Sequence, residues 1–334
     1  MERISKMAVV LRTSFVFMLI SVGASTKTCL SGSLKPDYYA WTCPEADAII
    51  FAGVEKAVIQ EARMAASLLR LHFHDCFVNG CDASVLLDDT VTFVGEKTAV
   101  PNLNSLRGFE VIDAIKQELE FACPGTVSCA DILAMAARDS VVLTGGASWE
   151  VQLGRRDSLT ASKTAANNNI PAPTSNVATL NSKFQNVGLT EQDMVTLSGA
   201  HTIGKARCAT FNSRLTGQPD PTLQKEFLTS LQQICFQGLA SNNNTVTSLD
   251  VETPVIFDNQ YYQNLPSGEG LLNSDQVLYS TGGTTRELVE FYMQNQEAFF
   301  ENFKTSMIKM GNIQPLTGTN GEIRRNCRFV NSLG

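Results

Sequence analysis

Histidine is nearly missing from this chain: there are three in 334 residues. Proton transfer near neutral pH can therefore use only His72, His74 and His201. Charged residues make up a modest 18%, and their balance is acidic, at −7. That argues against nucleic acid as a partner, because a phosphate backbone needs a basic face. No apolar stretch reaches the roughly 20 residues needed to cross a bilayer, so no membrane span is expected. There is no Cys-x2-Cys pair, and with so few imidazoles the nine cysteines do not read as zinc ligands. No repeat or low-complexity linker divides the chain, and alternating strand patterns are rare.

The beginning of the chain carries Arg3, Lys6 and Arg12, then an apolar run over residues 15–22 and a small-residue exit at Val22-Gly23-Ala24. This is the pattern of a secretory signal peptide over residues 1–24, with cleavage as late as residue 32 the alternative. The leader holds three basic residues and one acidic residue, so its removal takes the net charge from −7 to −9. Asn331-Ser332-Leu333-Gly334 is neither a retention signal nor a hydrophobic tail. Secretion to the cell exterior is expected, with a vacuolar destination the alternative. Nine cysteines behind such a leader read as a disulfide framework, whose pairing the sequence alone leaves open. A chain this long buries about three quarters of its unfolded surface. With 43% hydrophobic residues, residues 33–334 suit a single globular domain.

The periodic segments are helical. Ala65, Ala66, Leu68, Leu69 and Leu71 lie among good helix formers, and residues 58–71 contain no proline or glycine, so a helix is expected there and on to Cys76. Val111, Ile112, Ile115 and Leu119 form a stripe that stops at Cys123-Pro124-Gly125. Residues 131–142 and 177–187 are further helices, and Thr190 with Asp193 reads as a capping box. Leu288, Tyr292, Phe299, Phe303 and Met307 continue a helical rhythm to Gly311 and read as core. Residues 149–153 are the one short strand candidate, and residues 158–169 and 238–247 read as surface loops. The fold class is mainly α.

The densest chemistry is Arg70-Leu71-His72-Phe73-His74-Asp75-Cys76-Phe77-Val78-Asn79-Gly80-Cys81-Asp82-Ala83-Ser84. On a helix, Arg70 and His74 are an i, i+4 pair on one face, while His72 points elsewhere. A permanent cation beside a titratable imidazole suits breakage of a bond that needs proton transfer and charge stabilisation. Alone, the pair reads first as a surface salt-bridge neighbour or a satisfied core histidine. Asp75, Asp82 and Ser84 offer hard oxygen ligands beside a turn, a donor set for calcium, though such acids are commonly only solvated. Cys76 and Cys81 lie close enough to close that loop. His201 follows Ser198-Gly199-Ala200, small residues that would let a flat cofactor approach the backbone. On spacing alone His201 reads first as a buried structural histidine, with an imidazole that holds a cofactor's metal from one side the alternative.

The fifteen-residue segment resembles the distal-haem signature of the secretory plant peroxidases (class III). Gly199-Ala200-His201-Thr202-Ile203-Gly204 resembles that family's proximal-haem motif. Gly154-Arg155-Arg156-Asp157-Ser158, residues 250–258 and Asn273-Ser274-Asp275-Gln276 resemble further blocks in the family's order, and the likeness covers residues 39–332. Several long motifs in order are far harder to meet by chance than one. The resemblance implies a two-lobed helical fold holding one haem b between the lobes. It implies His201 as axial ligand, Asp275 as acceptor of the other His201 N–H, His74 and Arg70 as the residues that cleave hydrogen peroxide, and Asn102 as acceptor of the His74 Nδ1–H. Phe73 would close the pocket and Pro171 would lie at the donor site, although a Pro-Ala-Pro loop is commonly just a rigid connector. Two calcium ions are implied: one held by Asp75, Val78, Gly80, Asp82 and Ser84, with Glu96 through water, the other by Thr202, Asp250, Thr253, Ile256 and Asp258. The implied disulfides are Cys43 with Cys123, Cys76 with Cys81, Cys129 with Cys327 and Cys208 with Cys235, leaving Cys29 odd.

The activity so implied is reduction of hydrogen peroxide to water with one-electron oxidation of small phenolic donors, by a monomer. Leu249 departs from the family, which often carries an aromatic residue there. Asn243 heads the only glycosylation sequon. A haem carrier without turnover would need an apolar face where Arg70 and His74 stand, and a disulfide-rich binding module would leave both histidine motifs idle.

Overall fold

Apolar spacing and caps set the helices. A computed structural model describes residues 33–91, 93–236 and 244–331. The expected leader, Cys29 and Asn243 lie outside the described residues. Among these, the helices are α1 (Ala46–Gln60), α2 (Met64–Cys76), α3 (Phe109–Ala122), α4 (Cys129–Leu143), α5 (Lys163–Asn169), α6 (Val177–Gln185), α7 (Glu191–Ser198), α8 (Lys225–Phe236), α9 (Gln260–Asn264), α10 (Asn273–Ser280), α11 (Thr284–Gln294) and α12 (Gln296–Gly311). About 50% of the structure is helical and 4% is strand, so the fold is mainly α. The central packing is α2 and α1 on α4 and α7 on α12. Leu68 and Leu71 of α2 are buried in the same core as Ile132, Leu133, Ala136 and Ala137 of α4. A smaller core gathers around Phe211, Leu215, Phe227 and Leu231.

Side-chain caps account for several helix starts. Ser128 Oγ accepts from the Asp131 N–H at 3.1 Å to open α4, an interaction typically worth about 1 kcal/mol. The Thr190–Asp193 capping box forms at α7. The four disulfides, Cys43–Cys123, Cys76–Cys81, Cys129–Cys327 and Cys208–Cys235, are the pairs the resemblance implies.

Four expectations need correction. Residues 58–71 are not one helix: the chain breaks between α1 and α2, where Glu61 is extended and accepts both Arg107 guanidinium N–H groups at 2.7 and 2.6 Å. The rhythm from Leu288 to Met307 is likewise divided, at Asn295, whose amide donates to the Phe291 carbonyl at the end of α11. Residues 149–153 make only one bridge, Lys35 to Leu153. The paired strands are β1 (Lys205–Arg207) and β2 (Val246–Ser248), antiparallel with Lys205 opposite Ser248 and too short for a period-two pattern to register. Part of the loop expected over residues 158–169 is α5, opened by Ser162 and held by Asn167 Oδ1, which accepts from the Val100 N–H at 2.7 Å.

The Gly154 to Ser158 block staples these elements together. Asp131 of α4 accepts from Tyr39 Oη (2.7 Å), the Gly154 N–H (2.7 Å) and Arg155 Nη1 (2.8 Å). Arg155, 2% exposed, donates through Nε and Nη2 to the Gly311 carbonyl ending α12. Asp157 accepts from the Cys129 and Ala130 N–H groups at the start of α4 and from the Arg324 N–H near the chain's end.

His72 of α2 is buried beside Arg155, and burial, then that charge, pushes its pKa from 6.5 down to about 3. The unfolded chain takes up a proton near pH 6.5 that the folded chain refuses until about pH 3. Its contribution to stability is therefore present above pH 6.5 and lost as pH falls toward 3. His72→Gln should flatten the pH dependence of unfolding free energy by about 1.4 kcal/mol per pH unit within that window, read from urea melts. An unchanged slope would contradict a neutral, buried His72.

Candidate active site

Arg70 and His74 stand one turn apart on α2, facing the segment that holds Pro101, Asn102 and Ser105. His74 Nδ1 lies 2.6 Å from Asn102 Oδ1, and Asn102 Nδ2 donates to the Glu96 carbonyl at 2.9 Å. With its NH2 spent on that carbonyl, the amide presents oxygen to the ring, so the hydrogen sits on Nδ1 and the lone pair on Nε2. Burial pushes the His74 pKa well below its usual range and Arg70's charge adds to this, while the Asn102 bond opposes it. The ring is a neutral acceptor. Arg70 donates through Nη1 to the Ser105 carbonyl (3.1 Å) and through Nη2 to the Pro101 carbonyl (2.9 Å) and Ser105 Oγ (3.1 Å). Protein encloses its guanidinium while part of the residue stays accessible. Burial, with the charges of Arg207 and Arg63, lowers its pKa to about 10, which leaves it cationic at neutral pH. The half-buried Phe73 ring stands edge-on to His74, with centroids 5.5 Å apart.

His201 is presented differently. At its end α7 tightens into a single 3-10 turn, Gly199–Thr202. The His201 side chain is 37% exposed, and Nδ1 meets Asp275 Oδ1 at 2.8 Å. Asp275 is fixed at the start of α10, where Oδ2 accepts from the Leu272 N–H at 3.1 Å and Oδ1 also accepts from Tyr261 Oη at 3.2 Å. A carboxylate on Nδ1–H leaves Nε2 as the lone-pair nitrogen, the tautomer and orientation a metal-ligating histidine needs. One sequence expectation changes here. A Cβ on Gly199 would sit 2.4 Å from Tyr262 Oη and 2.6 Å from Phe299, so that glycine makes room for the protein's own core rather than for a cofactor. Gly204, at φ +99°, is where the His201 segment meets α2: a Cβ there would lie 2.8 Å from Ala66 Cβ.

The two oxygen-rich clusters are assembled from the residues named in the sequence. Asp75, Asp82 and Glu96 are all buried. Burial, then the charge of Asp82, holds Asp75 well above the carboxylate range; burial raises Asp82 and pushes Glu96 up to about 8. Ser84 Oγ and Glu96 Oε2 are buried with no hydrogen-bond partner. Val78 and Gly80 lie in the same loop, closed by Cys76–Cys81 and by the Asp75 carboxylate accepting from the Ala83 N–H at 2.9 Å. Lone pairs without donors beside three buried acids fit a hard cation. In the second cluster, Thr202 Oγ1 lies 3.1 Å from Asp250 Oδ2 and 3.0 Å from Asp258 Oδ1, and Thr253 Oγ1 lies 3.4 and 3.1 Å from the same two oxygens. Two hydroxyl protons cannot serve four such contacts, so this set too fits a cation. Ile256, whose side chain is exposed, can contribute only its carbonyl.

Pro171 is half-buried in the loop before α6. That loop is tied to α10 by Asn273 Nδ2 donating to the Thr174 and Ser175 carbonyls, and no hydrogen bond joins Pro171 to Arg70 or His74 among the described residues. Sequence reasoning missed Arg63 and Arg207. With Arg70 they form a cationic group in which Arg63's pKa is lowered, first by burial, and none of the three has a carboxylate at ion-pair distance among the described residues. That group suits a ligand carrying carboxylates, as haem does. Arg63 was accessible as the residue two turns before Arg70, whereas nothing local marks Arg207. Tyr261 was also missed, because only the fold brings it to Asp275.

A neutral histidine and an arginine on one helix, with a carboxylate-held histidine on a separate turn of a mainly α fold, define a helical oxidoreductase of the peroxidase class. A family model described as peroxidase matches residues 50–295. Peroxidase 40 of Arabidopsis thaliana is 61% identical over 298 residues, covering 88% of this chain and 84% of that protein. Peroxidase 4 of Vitis vinifera is 53% identical over 321 residues, covering 96% and 99%, and Peroxidase 9 of Arabidopsis thaliana is 55% identical over 305 residues, covering 90% and 88%. The chain belongs to the peroxidase family, in its class III plant branch, and is an oxidoreductase acting on hydrogen peroxide.

Proposed function

We propose that this peroxidase is secreted after loss of its leader, binds one haem b and two calcium ions, and oxidises phenolic donors one electron at a time. The observation that carries the reading is the opposite presentation of two histidines. His201 is partly exposed, with Nδ1 held by Asp275, and His74 is buried and neutral, with Nδ1 held by Asn102. His201 Nε2 would hold the haem iron, and Arg63 and Arg207 would supply positive charge for haem carboxylates. When bound, haem supplies the iron that takes up two oxidising equivalents.

The protein's own residues move the proton. His74 Nε2 accepts a proton from one oxygen of hydrogen peroxide and returns it to the other, which leaves as water. Arg70 stabilises the negative charge that grows as the O–O bond lengthens. Asn102 keeps Nε2 aimed and basic, and the Asn102–Glu96 bond ties that aim to the first cation cluster. Phe73 narrows the pocket against bulky substrates, and Pro171 borders the donor site. Asp75, Val78, Gly80, Asp82, Ser84 and Glu96 hold one calcium, and Thr202, Asp250, Thr253, Ile256 and Asp258 the other. Since Thr202 follows His201 and Asp75 follows His74, each ion would brace one histidine. Asn243 is the proposed glycosylation site, and the protein acts as a monomer.

With purified holoprotein and a simple phenol, His74→Ala should lower kcat/KM for hydrogen peroxide by about 10²- to 10⁴-fold while the Soret band persists. A loss below tenfold would remove His74 from the proton-transfer role. Verified removal of calcium by a chelator should shift the Soret band and lower both activity and melting temperature, with recovery on adding calcium back. Unchanged spectra and turnover would contradict the two-ion reading.

A further inference from the structure

We infer that Tyr261 is a positioning residue that sets how strongly Asp275 pulls on the proton of His201. The inference rests on the proposed ligation of haem iron by His201. Tyr261 Oη donates at 3.2 Å to Asp275 Oδ1, the same oxygen that lies 2.8 Å from His201 Nδ1. Its side chain is 2% exposed, so water does not compete for the bond. A carboxylate oxygen can only accept, so the phenol hydroxyl is the donor of this bond. The ring also stands edge-on to His201, with centroids 6.2 Å apart at 78°, which fixes the imidazole's orientation. Leu249, where an aromatic residue would be expected, provides no ring.

Two donors on one carboxylate oxygen divide a single negative charge. Each bond formed by Tyr261 therefore weakens the pull of Asp275 on the His201 Nδ1–H. Less pull leaves less electron density on Nε2 and hence a weaker preference for oxidised iron. Asp275 increases the electron donation of His201, and Tyr261 limits that increase.

The test compares holoenzymes carrying Tyr261→Phe, which keeps the ring and loses the hydroxyl, with wild type. The ferrous iron–histidine stretch in resonance Raman should rise. The ferric-to-ferrous equilibrium should favour ferric on the order of tenfold more, or about 59 mV at one electron. In an Asp275→Asn background the same substitution should move neither quantity. Tyr262→Phe serves as the structural control: its hydroxyl donates to the Val195 and Thr196 carbonyls and not to Asp275, so it should lower stability without moving the band. An unmoved band and potential in Tyr261→Phe, or shifts that persist with Asp275→Asn, would overturn the inference while leaving His201 ligation intact. A wild-type enzyme with no iron–histidine band would overturn both.

Discussion

The buried pair of Asp131 and Arg155 is the interaction on which the site depends. Both side chains are almost fully buried, and their contact is 2.8 Å. A buried pair contributes modestly to net stability, but removing one partner leaves an unpaired charge at a cost of roughly 3–5 kcal/mol. The cost here would be shared among several elements. Asp131 also holds Tyr39 and the Gly154 backbone, and Arg155 holds the last carbonyl of α12. Burial, with the charge of the same guanidinium, keeps His72 neutral. Because α2 packs on α4, and α4 begins at this pair, the direction in which Arg70 and His74 point is inherited from it.

The two working histidines follow one rule. In each, a polar side chain occupies Nδ1 and so decides what Nε2 can do. Asn102 leaves Nε2 as the acceptor of His74, on a ring that burial keeps unprotonated. Asp275 holds Nδ1 of His201, so Nε2 is the free nitrogen there. Both supporting groups are themselves anchored, Asn102 by the Glu96 carbonyl and Asp275 by the Leu272 N–H. The first oxygen-rich cluster shares Glu96 with the Asn102 anchor, and the second shares Thr202 with the turn that carries His201.

Much of the site could be read from sequence because its groups are local. Arg70, Phe73, His74, Asp75, Asp82 and Ser84 lie within fifteen residues, and helical spacing alone puts Arg70 and His74 on one face. The mainly α class was equally legible from apolar periodicity and caps. What could not be read depends on distant partners: Glu61 at the break pairs with Arg107, the two short strands pair with each other, Arg207 joins the cationic group, and Tyr261 reaches Asp275. Gly199 was misread for the same reason, since the atoms it accommodates belong to Tyr262 and Phe299. The Gly154 to Ser158 block was recognisable as a motif, but its role as a staple appears only once α4, α12 and the chain's end are seen together.

The central claim is that His201 holds haem iron through Nε2 while His74 stays free for proton transfer. Haem titration of the wild-type apoprotein and of His201→Gly, with and without added imidazole, tests it most directly. The account predicts one haem per chain in wild type, loss of the iron–histidine signature and of peroxide turnover in His201→Gly, and recovery of both when imidazole fills the vacated position. Wild-type ligation persisting in His201→Gly would contradict it.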